Sequence, residues 1–235
     1  MRFVRLAGIP CALLTLALFA PPARSQQPAT GGGIHYVYLV RHGDYTRDRS
    51  TDEVSGNGLN ALGHEQAKLL GARLAALPVK PASLVTSNYK RARETADDIG
   101  QALGMTPMVD SLLHECNFTS DRPDYMRNDT RAEIAACDSN FAHAWAKYMV
   151  PTPQRDRHDV LVCHGNVIRT FVSRLVCGDS RHWPTMEIGN GSLTVLAVRA
   201  DGRMKLVCFS DVGHLPVAQQ TWTGHGAGWG TPAPR

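Results

Sequence analysis

Beyond the first 25 residues the sequence has no apolar segment long enough to cross a bilayer, so nothing in the body of the chain reads as a membrane span. It has no CxxC pair and no HExxH motif. The stretch HEQAK at His64 lacks the second histidine, and these patterns give no reason to expect structural zinc. Aromatics are only 7% of the 235 residues, and no Lys/Arg stripe is interleaved with them. Nucleic acid is therefore not an expected partner. The net charge of +4 does not argue otherwise: Arg2, Arg5 and Arg24 lie in the first 25 residues, which hold no acid, and without them 22 basic residues face 21 acidic ones.

What is present begins with a distinctive N-terminus. MRFVR is a basic start, CALLTLALFA is an apolar run too short for a comfortable span, and Ala23-Arg24-Ser25 has the small–x–small form of a cleavage site. Residues 1–25 read as a secretory signal peptide, 26–33 (QQPATGGG) as a flexible linker, 34–220 as one domain and 221–235 as a disordered tail. The expected location is periplasmic or secreted, with no membrane association once the leader is cut. Cys116, Cys137, Cys163, Cys177 and Cys208 then remain. An exported chain can form disulfides, but an odd count leaves at least one thiol unpaired. Cys163, in the apolar run VLVC, reads as a buried free thiol; the other pairings stay open, as does the oligomeric state.

Apolar runs suited to buried strands occur at Tyr36–Val40, Ser83–Thr86 and Asp159–Cys163. Between them, Ala67, Leu70, Leu74 and Leu77 recur on one helical face, which Pro78 ends. Further helices are expected at about Tyr89–Ala102, stopping at Gly104, at Arg131–Met149, and from near Asn166 to Val176. Two strands joined by a turn at Asp201-Gly202 should follow. Alternating strands and helices imply an α/β domain, a three-layer α/β/α sandwich with a mainly parallel sheet. Ligands in such folds bind beyond the carboxyl ends of the strands, where Arg41-His42-Gly43, Ser87–Arg91 and Cys163-His164-Gly165 all fall.

That grouping suits a phosphate monoester. Arg41 and Arg91 offer planar donor forks, which fit phosphate better than a lysine point charge. Helix N-termini near Tyr89 and Asn166 add backbone donors. A neutral His42 can attack phosphorus and carry the phosphoryl group, and nearby arginines favour its neutral form. His164, if protonated, can stabilise the equatorial oxygens. Glu115, in LLHECNF, can protonate the leaving alkoxide. Gly43 would let the backbone turn tightly beneath the imidazole. Each residue taken singly has a plainer reading: His42 or Arg91 as a structural group, Glu115 as a solvated loop carboxylate, Asn166 as a helix cap, Asn190-Gly191-Ser192 as a turn, and Asn117-Phe118-Thr119 as a chance match to a glycosylation acceptor.

LVRHGDY, LNALGHEQA, TSNYKRARETA, LLHE and LVCHGNVIR stand in the order and spacing of the histidine phosphatase superfamily, and the chain resembles that family from about Ile34 to Pro216. HGNVIR, NGSLTVLAVRADGR and DVGHLP are most similar to its phosphoglycerate-mutase-like serine/threonine protein phosphatases of mitochondria. The resemblance implies a phosphoglycerate-mutase-like fold and a phosphohistidine intermediate without metal or cofactor. It matches His42 to the nucleophile, Arg41 and Arg91 to the phosphate clamp, His164 to the second pocket histidine and Glu115 to the proton donor. Gly43 and Asn166 are placed with the substrate-binding group. Gly165 after His164 disfavours the acid-phosphatase branch, and Asp44-Tyr45 and Asp48 depart from the pattern of true mutases. The substrate is then a phosphoprotein or a small phosphate ester. The competing readings are an exported small-molecule phosphatase and a catalytically silent binding module on the same fold.

Overall fold

In the computed structural model, residues 32–52 and 54–222 are described. The leader at 1–25, the linker up to residue 31 and the tail from residue 223 lie outside the described residues. Six strands form one sheet: β1 (Ile34–Arg41), β2 (Ser83–Thr86), β3 (Met108–Val109), β4 (Arg157–Cys163), β5 (Leu193–Arg199) and β6 (Met204–Asp211). Four helices accompany them: α1 (Ala61–Ala75), α2 (Lys90–Leu103), α3 (Arg131–Tyr148) and α4 (Gly165–Cys177). The strand order is β3-β2-β4-β1-β5-β6. β1 to β4 are mutually parallel, while β5 and β6 extend the sheet in antiparallel fashion. No helix among the described residues is long and apolar enough to cross a membrane.

The continuous apolar runs of β1 and β4 exist because both sheet faces are covered. Side chains alternate across a strand. Val37 and Leu39 of β1, with Leu161 and Cys163 of β4, therefore pack with Phe141 of α3 and Phe171 of α4. Tyr38, Val40, Val160 and Val162 turn to the other face, against Leu70 and Leu74 of α1 and Ala96 and Ile99 of α2. Helix ends follow from local chemistry. Asn60 caps α1 by accepting from the Gly63 N–H, Thr130 and Glu133 make a reciprocal capping box on α3, and α2 and α4 stop at left-handed Gly104 and Gly178.

Two expectations about the domain's edges change. Gly33 is buried, and a Cβ there would strike the backbone of Arg155, so the end of the expected linker is already packed. Thr221 and Trp222, placed in the tail by composition, belong to the domain. Trp222 is buried and bridges Gly189, and the Thr221 hydroxyl contacts Asp44 and Asn190.

A polar cluster fastens the base of the sheet. Asp159, 1% exposed, accepts from Ser83 Oγ at 2.8 Å, lies 2.8 Å from His35 Nε2, and pairs with Arg157. Burial pushes its pKa up, but these hydrogen bonds and the positive charge outweigh burial and hold the carboxyl below its ordinary value. The stabilisation is present above the unfolded carboxyl pKa, about 3.9, and is lost as pH falls through the lower folded value. Asp159→Ala is expected to cost about 3–5 kcal/mol, because it strands buried donors. The check is a lowered denaturant midpoint with unchanged slope; a change under about 1 kcal/mol would mean that the cluster is not structurally coupled.

Candidate active site

Strand register assembles the site. Arg41 sits opposite Cys163 in the parallel β1–β4 pair, and Thr86 opposite Val162 in β2–β4. The chain leaves all three strands at one level: the His42 N–H donates to the Cys163 carbonyl at 3.0 Å, and the Ser87 N–H to Val162 at 2.9 Å. Arg41, His42, Ser87, Arg91 and His164 thus converge, each at most 5% exposed. Arg41, His42 and Arg91 line a cleft of about 540 Å³ whose walls also include Glu115, Asn166 and Arg169.

The hydrogen bonds fix the tautomer of His42. Its Nδ1 is 2.8 Å from the Gly43 carbonyl, which can only accept, so Nδ1 carries the proton. Arg91 Nε–H donates to His42 Nε2 at 3.2 Å, so Nε2 presents a lone pair. Burial, then Arg41 and Arg91, push the pKa of this imidazole well below its ordinary value. His42 is consequently neutral at physiological pH, with an Nε2 electron pair that accepts from Arg91. Arg91, in the first turn of α2, also stands over the rings of Tyr45 and Tyr89 at 4.8 and 5.1 Å, which orients its planar head. Arg41 donates to the Ile188 carbonyl at 2.5 Å. Burial lowers its pKa to about 10, so it stays charged at neutral pH.

The surroundings of His164 disfavour the protonated form that was its condition for stabilising the equatorial oxygens. Burial, then the neighbouring His42, Arg91 and Arg41, lower its pKa well below normal, so it is a neutral ring and not an imidazolium. Its centre is 5.1 Å from that of His42. Nε2 lies 2.8 Å from Ser87 Oγ, and that oxygen also accepts the Tyr89 N–H at 3.3 Å. A Ser87 O–H donated to Nε2 leaves the proton on Nδ1, which is buried and has no hydrogen-bond partner among the described residues.

Glu115 follows a short 3₁₀ turn at Ser111–Leu113. Burial raises its pKa, although Arg169, Arg91, Arg41 and the Asn166 N–H all pull the other way. The carboxylate accepts from the Asn166 backbone at 3.2 and 3.4 Å. The Asn166 side chain donates to the Cys116 carbonyl at 2.9 Å and to Asn117 Oδ1 at 3.0 Å. Asn166 therefore pins the Glu115 loop to α4 in addition to lining the cleft. Asn117 is consumed by the same network and donates to Asp129, so its match to a glycosylation acceptor falls on a side chain turned into the cleft wall.

Gly43 also has a different role. Its φ is not in the left-handed region, and its N–H is bonded to Thr95 Oγ1 at 3.0 Å. A Cβ would lie 2.9 Å from Gly63 Cα, so glycine is needed for close backbone approach to α1, not for a turn under the ring. Asn190-Gly191-Ser192 is a turn that braces the motif. Gly191, at φ 61, donates its N–H to the His42 carbonyl at 3.1 Å, and the Ser192 carbonyl accepts from Arg41 N at 3.2 Å.

Arg169 is a functional candidate that sequence reasoning missed. It reaches from α4 to the Met186 carbonyl at 3.0 Å and to Asn166 Oδ1, and lies 4.9 Å over the Trp183 ring. Its charge acts on Glu115. The signal was available: Arg169 is one helical turn beyond Gly165, on the same face. Tyr45 was noted only as a departure from mutases, yet its ring meets His42 edge-on at 5.3 Å.

Among the described residues there is one disulfide, Cys116–Cys137, joining the Glu115 loop to α3. Cys163 is a buried free thiol whose pKa burial pushes up, and Cys177 and Cys208 are also free.

The chain is 32% identical over 192 residues to the mitochondrial serine/threonine-protein phosphatase PGAM5 of Xenopus tropicalis, an alignment covering 77% of this chain and 66% of that protein. It thus spans just under two thirds of that relative's length. Among solved structures, it superposes on a phosphoglycerate mutase of Plasmodium falciparum (TM-score 0.55, 23% identity, 78% of this chain and 95% of that one). It also superposes on a mycobacterial glucosyl-3-phosphoglycerate phosphatase in complex with inorganic phosphate (TM-score 0.54, 21% identity, 77% and 99%). Both likenesses establish the fold. The model of the histidine phosphatase superfamily (branch 1) matches residues 37–152 and 140–211, and the chain belongs to that family.

Proposed function

We propose that the protein is a phosphomonoester hydrolase that works through a phosphohistidine on His42, with phosphoserine or phosphothreonine in proteins as its substrate class. The observation that carries the chemistry is the neutral His42, Nδ1–H bound to Gly43 and Nε2 facing Arg91. A phosphate arriving in the cleft takes over the Arg91 donors, and the freed Nε2 lone pair attacks phosphorus. The P–O bond to the leaving group breaks and its electrons go to the departing oxygen, which takes the proton of Glu115. The Gly43 carbonyl stabilises the positive ring that results. Water then attacks phosphorus, Glu115 accepts its proton, and orthophosphate leaves as His42 returns to its neutral form. Arg41, Arg91 and the Nδ1–H of His164 supply the donors for the equatorial oxygens. The four arginines of the cleft, Arg41, Arg47, Arg91 and Arg169, provide the positive charge, so turnover should survive exhaustive chelation.

The protein-substrate part of this reading is supported by the identity to PGAM5. A small-molecule ester is the second reading, favoured by the leader-like N-terminus, with phosphoproteins scarce outside the cytoplasm. The proposed export has further support from the Cys116–Cys137 disulfide, a bond suited to oxidising compartments. Comparing kcat/KM over phosphopeptides, sugar phosphates and nucleotides decides between them. Preference for sugar phosphates by tenfold or more would overturn the protein-substrate reading, and no turnover of any ester would favour a silent binding module.

Arg91→Lys keeps the charge but loses the planar fork and its stacking on Tyr45 and Tyr89. The expected result is a fall in kcat/KM of about two orders of magnitude, with vanadate inhibition weakened in parallel. A near-normal lysine variant would show that Arg91 does not clamp the phosphate.

A further inference from the structure

Among the described residues, His114, Cys116 and Cys137 place one ring nitrogen and two sulfurs within 4.8 Å of one another. His114 Nδ1 lies 2.6 Å from the Ser111 carbonyl, an acceptor only, so Nδ1 holds a proton. In the neutral ring Nε2 is then a lone pair, and it points at Cys116 Sγ, 3.1 Å away. That sulfur is in a disulfide and has no proton to donate. A histidine whose far nitrogen is fixed by a backbone carbonyl and whose near nitrogen faces sulfur is the arrangement that metal-binding histidines adopt. All three residues are partly exposed, so a reductant and an ion can reach them.

We infer that in the reduced chain His114, Cys116 and Cys137 form a binding site for a thiophilic divalent cation such as zinc, at the wall of the phosphate cleft that Cys116 lines. A dithiol reductant opens the Cys116–Cys137 bond. It gives two electrons and two protons and leaves as its own disulfide, and the chain gains two thiols. The cation displaces the two thiol protons, binds both thiolates and takes the Nε2 lone pair, with water in the fourth position. Bonds of about 2.3 Å set the sulfurs about 3.8 Å apart, a spacing that side-chain rotation allows with the Cα atoms 5.9 Å apart. The ion then staples the Glu115 loop to α3 where the disulfide staples it in the oxidised chain. Motif reading missed the site because His114 and Cys116 are remote in sequence from Cys137.

The test is an anaerobic titration of the full chain with cobalt(II) alone, after dithiol reduction and removal of the reductant. The reduced chain should develop a sulfur-to-cobalt charge-transfer band that saturates at one cobalt per chain, and zinc should bleach it. The oxidised chain should show no band, and Cys177→Ser should leave the band unchanged. Cys137→Ser should abolish it, and His114→Ala, a change in a partly exposed loop, should weaken binding at least about tenfold. No band in the reduced chain, or a band that persists in Cys137→Ser, would overturn the site.

Discussion

His42→Ala is expected to lower kcat for an aryl phosphate by about four orders of magnitude or more, because it removes the group that forms the new bond to phosphorus. The substitution should leave the fold intact. The backbone bonds of His42, to Cys163 and Gly191, do not need the ring, and the helices that frame the sheet do not depend on it. Phosphate affinity should change far less, since Arg41 and Arg91 remain. A residual rate above about a hundredth of the parent would mean that another group attacks, or that water is activated directly.

The second large effect depends on the leaving group. An alkyl alkoxide must be protonated as it departs, whereas nitrophenolate leaves without help. Glu115→Gln should therefore slow alkyl phosphates about a hundredfold more than nitrophenyl phosphate. The pH dependence follows from the same two shifts. His42 is held neutral by a lowered pKa, and Glu115 keeps its proton longer through a raised one. Their environments push the two values toward each other from their usual order, widening the range in which base and acid forms coexist. As pH rises through the raised value of Glu115, alkyl ester turnover should fall while nitrophenyl ester turnover holds, and Glu115→Gln should lose that limb. Equal slowing of both esters with no accumulation of the phosphohistidine would make Glu115 a structural residue. Asp129 or Glu187, which also line the cleft, would then be the acid.

Much of this was legible because the signals are local. The runs at Tyr36–Val40, Ser83–Thr86 and Asp159–Cys163 suited strands covered on both faces, and the polar residues at their ends had one common place to go. Gly104 and the Asp201-Gly202 turn marked their element ends because glycine is the residue most at ease at φ 63 and 81. What sequence could not supply was distance and burial. The charge of His164 depends on complete desolvation beside two arginines, which no spacing reveals. The Cys116–Cys137 pairing depends on how the irregular stretch after Val109 folds back on α3. Met108–Val109 was too short to register as a strand, and Trp222 looked like tail because the evidence for its burial lies in Gly189, far along the chain.

The most direct test of the account is to trap the intermediate. Protein mixed with phosphate-labelled aryl ester and quenched in base within one turnover should carry label on His42 as a base-stable, acid-labile phosphoramidate. Its decay should match steady-state turnover, and Glu115→Gln should let it accumulate. Acid-stable label on a serine or threonine, or no covalent label at all during active turnover, would contradict it.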